Sequence, residues 1–407
     1  MNVLITGASF NNKGAQAMLY TVVNEFRNHD TNTEFYYLPV DYYKPGCFDH
    51  CEDFRFHFVI DDKSGRDFPA KFGPLNYAVR WANTQKILRN AQQHGEVLAL
   101  SRLWDKLDVL VDVSGYSLTS KFGISSVNRV LRMIRTAKAH GVKTILLPQS
   151  YGPFDFPEDV CKRIGAALKE VDLLFAREPD GVAQLQEHCG VTNAILSPDI
   201  VIQAKDIDWR NLFVHEPKLT YPKVSTSGNV GIVPNGETIK NGRKDVILNC
   251  YRQILQELRE GGKEVYIFRH SDDLALCREI YEMVKDDAHC HLIEDEMDCL
   301  SYSAFVQQLD FVIASRFHSI VNAYRVSVPA LVLGWAIKYQ ELTKLVGQEQ
   351  YVFDVSTLDQ PDHAEQMLRQ LRAMMENHAA ESSVIKTHVQ KVQQESCFLE
   401  CWKVLES

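Results

Sequence analysis

The sequence predicts an α/β protein built from two parallel-sheet domains, and three observations carry that prediction. Short apolar, β-branched runs alternate with helix-length stretches, the pattern of βαβ units whose sheet is covered on both faces. The rhythm lapses over residues 206–228, where Pro217, Pro222 and Gly228 fall, and then resumes. The length, 407 residues, exceeds the roughly 250–300 that one hydrophobic core usually supports. The expected division is an N-terminal α/β domain over 1–205, an interdomain region over 206–228, a C-terminal α/β domain over 229–355 and a helical tail over 356–407.

The first domain opens with an apolar strand over 2–6, a small-residue loop, and a helix from Ala15 onward. A second strand spans 34–39. Residues 41–80 carry Pro45, Gly46, Gly65, Pro69, Gly73 and Pro74 and read as irregular, and 81–103 reads as a helical insertion. A strand over 107–116 runs into Ser114-Gly115. Then come a helix over 126–140, a strand over 143–147, a turn-rich loop over 148–154, a helix over 157–170 and a strand over 172–176. A helix ending at His188 and a short strand lead to Ser197-Pro198-Asp199.

In the second domain, strands are expected over 229–233, 264–268, 311–313 and 329–333, with helices over 245–260, 272–285 and from Phe317 toward Pro329. Residues 361–399 read as one amphipathic helix able to pack on either domain. Two Rossmann-like domains of similar size with a site between them describe a GT-B-like arrangement. A dehydrogenase-like layout competes with it, but the G-x-G-x-x-G fingerprint is missing, and Asn12-Lys13-Gly14 is not a P-loop.

Composition narrows the function. With 45% hydrophobic and 24% charged residues the chain is an ordinary globular one. A net charge of −9 argues against a nucleic-acid surface, which needs a basic field. The start has no signal-like segment and no apolar run is long enough to span a bilayer, so a cytoplasmic location is expected, with peripheral membrane contact left open. Ten scattered cysteines then read as reduced thiols. Cys47-x3-Cys51, Cys397-x3-Cys401 and His289-Cys290-His291 lack a second pair at zinc-finger spacing, so no metal is expected.

The chemistry-bearing residues fall at predicted strand ends, where parallel sheets bind ligands. Ser315-Arg316-Phe317-His318 lies between a strand and a helix. Its guanidinium suits a phosphate or carboxylate, the helix N-terminus adds free N–H groups, and the histidine can move a proton near neutral pH. Arg316 and His318 are therefore the candidate catalytic pair. Candidate substrate-binding residues are Asn12 and Lys13 in the first loop, Gln149 and Tyr151, Arg177, Arg269 and His270, and Lys338. Each also has a plainer reading: Asn12 and Lys13 as a simple βα turn, Arg177 as a surface partner of Glu178 or Asp180, Lys338 as a solvated lysine.

Taken in order, Asn12-Lys13-Gly14-Ala15-Gln16-Ala17, Asp112-Val113-Ser114-Gly115, Pro148-Gln149-Ser150-Tyr151-Gly152-Pro153-Phe154, Phe175-Ala176-Arg177-Glu178, Ser197-Pro198-Asp199, Ser315-Arg316-Phe317-His318 and Val328-Pro329 through Lys338 resemble the polysaccharide pyruvyl transferase family. The resemblance covers roughly residues 1–340 as judged from those motifs. Ser114 and Glu178 depart from its more usual Gly and Asp. It implies a GT-B-fold transferase that moves a pyruvyl group from phosphoenolpyruvate to sugar hydroxyls, forming a cyclic ketal on a cell-surface or exopolysaccharide glycan or its precursor. The implied partners are phosphoenolpyruvate, as donor substrate, and a saccharide acceptor; no cofactor is implied. Arg177 and Arg316 would hold the donor's charges, and His318 would be the general acid/base. The alternative is a GT-B glycosyltransferase using a nucleotide sugar, with Arg316 on the diphosphate.

Overall fold

The computed structural model describes residues 1–44, 47–63, 82, 85–87, 89 and 97–407. Among them two all-parallel sheets form. The first has eight strands in the order β4-β3-β2-β1-β5-β6-β7-β8. These are β1 (Asn2–Thr6), β2 (Glu34–Leu38), β3 (His57–Ile60), β4 (Val97–Ala99), β5 (Val109–Asp112), β6 (Lys143–Gln149), β7 (Leu173–Ala176) and β8 (Ile195–Leu196). The second sheet has six, in the order β11-β10-β9-β12-β13-β14. They are β9 (Asn229–Val233), β10 (Glu264–Phe268), β11 (Cys290–Ile293), β12 (Phe311–Ala314), β13 (Ala330–Gly334) and β14 (Val352–Asp354). In each sheet the chain starts at the centre and builds outward both ways, so β1/β5 and β9/β12 are switch points where the connections diverge.

Burial explains the parallel pairing. The central strands β5, β9, β12 and β13 are buried at every position, with no polar alternation, so both faces must be covered by helices. Val3 and Ile5 of β1 face α1 (Lys13–His29), while Leu4 packs with Met133 and Ala137 of α2 (Gly123–Ala139). The α1 face continues without a break into the second domain, so Met18 and Val22 share one core with Ile320 and Tyr324. The remaining helices of the first half are α3 (Glu158–Leu168), α4 (Pro179–Cys189) and α5 (Ile200–Gln203). The second half carries α6 (Gly236–Asn241), α7 (Lys244–Glu260), α8 (Leu274–Tyr281), α9 (Cys299–Val306), α10 (Phe317–Arg325) and α11 (Ile337–Leu345).

The tail is two helices, α12 (Pro361–Gln394) and α13 (Phe398–Glu406), rather than one. It packs on both halves. Met367, Leu371 and Met374 join the core beside α7, and Ile385 and Val389 join the core shared with α1 and α10. The turn between the two helices is fixed where Gln203 Oε1 accepts the Cys397 amide at 2.6 Å. Trp402 then lies on Phe26 and stacks on His29, with ring centroids 4.7 and 4.2 Å apart.

Several elements differ from the sequence expectation. The stretch expected to be irregular contains β3, because His57-Phe58-Val59-Ile60 buries three of its four residues despite the breakers around it. Within 81–103, residues 82, 85–87 and 89 are helical, but Val97–Ala99 pairs with β3 as β4 and short 3-10 turns follow. The rest of that expected helix, and residues 45–46 and 64–80 of the expected irregular stretch, lie outside the described residues. β11 and β14 are additional edge strands, too short to show a period. His289 and His291, which bracket Cys290, both pair with Glu264, at 2.6 and 2.9 Å. Among the described residues, no helix is long and apolar enough to cross a membrane.

Candidate active site

Ala314 ends β12, and Arg316, in extended conformation, is the N-cap residue of α10. Its guanidinium forks the buried carboxylate of Asp273, Nε to Oδ2 at 2.6 Å and Nη2 to Oδ1 at 2.8 Å. The same Asp273 accepts the Gly236 amide at 2.9 Å. Such a bidentate pair fixes the plane of the guanidinium. Neither N-cap residue, Arg316 of α10 or Ala336 of α11, which follows β13, caps its helix with its side chain, and no other described residue does. By contrast, Asn235 caps α6 and Asp298 caps α9. Two neighbouring helix N-termini therefore keep free N–H groups at the same sheet edge, an arrangement suited to anions.

His318 sits in the first turn of α10, with Nε2 3.3 Å from Oδ2 of Asp199. That is close enough for an ion pair, without the alignment of a hydrogen bond. Asp199 belongs to the other sheet's half, where it is the N-cap of α5 and accepts the Val201 amide at 2.9 Å. Arg177, at the end of β7, donates from Nη1 to the same Asp199 oxygen at 2.8 Å. Burial by itself would raise the Asp199 carboxyl, but His318 and Arg177 outweigh it and hold it well below the usual carboxylate range.

Arg177 is buried and each of its nitrogens has a partner. Nε meets Glu178 at 2.9 Å, Nη2 meets Ser150 Oγ at 2.7 Å, and the guanidinium lies 4.4 Å over the ring of Phe317. Lys338, half-buried near the start of α11, lies over the same ring at 5.4 Å. It makes no ion pair among the described residues. Burial pushes its ammonium down to about 8, and Arg177, Lys121 and Arg316 push the same way against Glu178.

The loop after β1 reaches across to this cluster. A Cβ on Gly14 would lie 2.3 Å from Cγ of His318, so the imidazole rests directly on the bare glycine. Asn12 is exposed and caps α1, accepting the Gly14 and Ala15 amides at 3.0 and 3.3 Å. Lys13 is buried and donates to the carbonyl of His270 at 2.9 Å, with Glu296 3.4 Å away. Burial lowers its ammonium, and Glu296 opposes that. His270 lines a small recess with Lys13, Gly14 and His318. Burial, then the neighbouring cations, push its imidazole well below the ordinary histidine range, so it is neutral there. Arg269 pairs with the far oxygen of Glu296 at 3.3 Å.

The structure thus brings Lys13, Arg177, His270, Arg316, His318 and Lys338 to the facing edges of the two sheets. Gln149 and Tyr151 lie deeper, both buried. Gln149 Oε1 accepts from Ser117 at 3.1 Å. Sequence reasoning did not single out Asp199, Asp273 or Phe317 for the site. The first closes Ser197-Pro198-Asp199 at a strand end, a visible signal; Asp273 and Phe317 take their roles only from tertiary packing.

Fold and site define the class, a two-domain enzyme of parallel α/β sheets in a GT-B-like arrangement with basic and acidic side chains gathered at the strand ends. The profile of the polysaccharide pyruvyl transferase family matches residues 12–336, and the chain belongs to that family. No curated protein matches the chain. Among solved structures it is similar to the UDP-GlcNAc 2-epimerase of Neisseria meningitidis bound to UDP-GlcNAc, with a TM-score of 0.52 and 12% identity over 95% of this chain and 94% of that one. The UDP-GlcNAc 2-epimerase of Methanocaldococcus jannaschii gives 0.51 and 13%, over 92% and 93%. The trehalose-6-phosphate synthase OtsA gives 0.50 and 10%, over 99% and 98%. At these identities the likeness shows the shared fold.

Proposed function

We propose that the protein transfers the pyruvyl group of phosphoenolpyruvate to two hydroxyls of a saccharide acceptor, closing a cyclic ketal and releasing phosphate. The observation that carries this reading is the set of unspent positive charge beside His318. Lys338 has no carboxylate partner among the described residues, and α10 and α11 both begin uncapped. A donor with a phosphate and a carboxylate needs such a cradle. Lys338, the first-turn amides and the outer edge of Arg316 would take the donor's charges. Arg177, spent on Asp199, Glu178 and Ser150, would position Asp199 and add to the field.

The chemistry is acid–base work at one carbon. One sugar hydroxyl adds its oxygen to the enol carbon of the donor and loses its proton, while the donor's methylene gains a proton and becomes a methyl group. Phosphate then leaves that carbon, and the second hydroxyl bonds to it, losing its proton. His318 is the group that moves these protons. Asp199 orients the imidazole and balances its charge, and cationic neighbours stabilise the departing phosphate. The expected setting is the cytoplasm, during assembly of an exopolysaccharide or other surface glycan.

Incubation of the full chain with phosphoenolpyruvate and a panel of saccharides tests this. Stoichiometric phosphate and ketal-modified acceptor are expected by mass spectrometry. Consumption of a UDP-sugar with no release of phosphate from phosphoenolpyruvate, whatever the acceptor, overturns it in favour of a glycosyltransferase.

A further inference from the structure

One of the cavities that the proposed chemistry leaves unused has sugar-binding character. It lies at the first sheet's switch point, where the ends of β1, β2 and β5 meet the start of α2, and has a volume of about 340 Å³. Small-ligand pockets run from roughly 300 to 1,000 Å³, so this one suits a single small ligand.

Its walls are polar in a particular way. Asp112 lies on the floor, with Oδ2 accepting the Thr6 hydroxyl at 2.7 Å and Oδ1 accepting the Ser114 amide at 3.0 Å. Asp61 lines another side and is paired with Arg132. Arg129 of α2 lines the cavity with no partner for its guanidinium among the described residues. Tyr43, 64% exposed, stands at the edge. Carboxylates that accept from hydroxyls, a guanidinium that donates to them and an exposed aromatic ring for the apolar face are the groups a sugar ring uses.

An anionic ligand fits poorly. The charges at the walls balance, Asp112 and Asp61 against Arg129 and the Arg132 that pairs with Asp61, which suits an uncharged ligand better than a diphosphate. In the β1–α1 loop, which in dinucleotide-binding domains cradles phosphate, the side-chain donors of Ser9 and Asn11 are already engaged. Ser9 Oγ donates to Asp41 at 2.8 Å, and Asn11 donates to the same oxygen.

The cavity also adjoins the proposed reaction centre. β5, β6 and β7 are consecutive in the sheet, which separates β5 from β7 by about 10 Å. The Ser150 amide donates to the Gly115 carbonyl at 2.8 Å, and Ser150 Oγ accepts from Arg177. A sugar seated on Asp112 is thus two strand spacings, about 10 Å, from the Arg177 end of the Arg177–Asp199–His318 cluster.

We infer that this cavity is the acceptor subsite and that it takes an uncharged hexopyranose end of the saccharide, with hydroxyls on Asp112 and Arg129 and the ring against Tyr43. The inference rests on the pyruvyl-transfer reading, yet its test does not need the donor. Saturation-transfer NMR on the full chain, with methyl glycosides of galactose, glucose and mannose, reads acceptor binding directly. At least one glycoside is expected to bind, and Arg129→Ala and Tyr43→Ala, both changes at partly exposed side chains, are expected to weaken it about tenfold. With turnover established, the same variants raise the acceptor KM and leave that of phosphoenolpyruvate unchanged. Glycoside binding that is equal in parent and both variants overturns the inference, as does the absence of any glycoside signal at roughly 50 mM. So does UDP-GlcNAc binding that both variants abolish. Failure of phosphate release with glycoside binding intact strikes the donor reading alone.

Discussion

His318 Nε2 stands 3.3 Å from Asp199 Oδ2, joining a helix of the second sheet to a helix N-cap of the first. If this pair orients the proton-transfer group, His318→Gln lowers kcat by about 10²–10⁴-fold and leaves folding intact. Asp199→Asn should lower kcat less and also destabilise the protein. The folded carboxyl lies below its unfolded value, so its stabilising contribution is present above the unfolded pKa and is lost as pH falls through the folded one. Urea titrations should show a constant gap between parent and Asp199→Asn above about pH 5, narrowing toward lower pH. A gap that widens on acidification contradicts the arrangement.

Arg177 is the pivot beneath that pair. Its three nitrogens hold Asp199, Glu178 and Ser150, and all but Ser150 are buried. Removing one member of a buried charge network leaves the others uncompensated, at a cost of about 3–5 kcal/mol. Arg177→Met should therefore lower the unfolding free energy by that amount in urea titration. Arg177→Lys should recover only part of it, because a point charge cannot reproduce the fork. Full recovery by lysine would reduce Arg177 to a generic cation.

The fold was legible where the pattern was long or fully apolar. Strands such as Val109–Asp112 and Phe311–Ala314 show as continuous buried runs, with Asp108 and Asp310 before them and Ser114 and Ser315 after. β3 and β4 were hidden because each is three or four residues long, so only pairing, of β3 with β2 and of β4 with β3, makes them strands. The site divided the same way. Arg316 and His318 announce themselves by residue type at a strand end. That Arg316 faces Asp273 and Arg177 faces Asp199 depends on packing between segments 43 and 22 residues apart. Asn12 caps α1, and from sequence a polar residue before a helix reads equally well as ligand contact or cap.

Gly14 offers a test of how closely His318 must sit. Its backbone is ordinary helix, so alanine is no burden to α1, yet the added methyl would fall 2.3 Å from the imidazole. Gly14→Ala should displace His318 by about an ångström and cost on the order of 10²-fold in kcat, with a far-ultraviolet circular dichroism spectrum like the parent's. Unchanged kcat would mean that the imidazole works from another position.

Lys338 gives the pH dependence of donor binding. Burial, followed by the Arg177, Lys121 and Arg316 cations, pushes its ammonium down to about 8. A lysine whose folded pKa is lowered is charged below that value and neutral above it, so the cradle loses a positive charge as pH rises through about 8. The KM for phosphoenolpyruvate should be flat on the acid side of that value and climb on the alkaline side. Bound donor opposes the loss of the proton, so the same transition in kcat should fall at higher pH than in kcat/KM. Lys338→Met should raise KM about tenfold, the equivalent of one modest charge-assisted contact, and remove the alkaline rise. Lys338→Arg, which keeps its charge throughout, should bind the donor on both sides of the transition and also flatten the profile. Initial-rate measurements at constant ionic strength distinguish these cases. An alkaline rise that survives both substitutions assigns the titration to another group and removes Lys338 from the donor site.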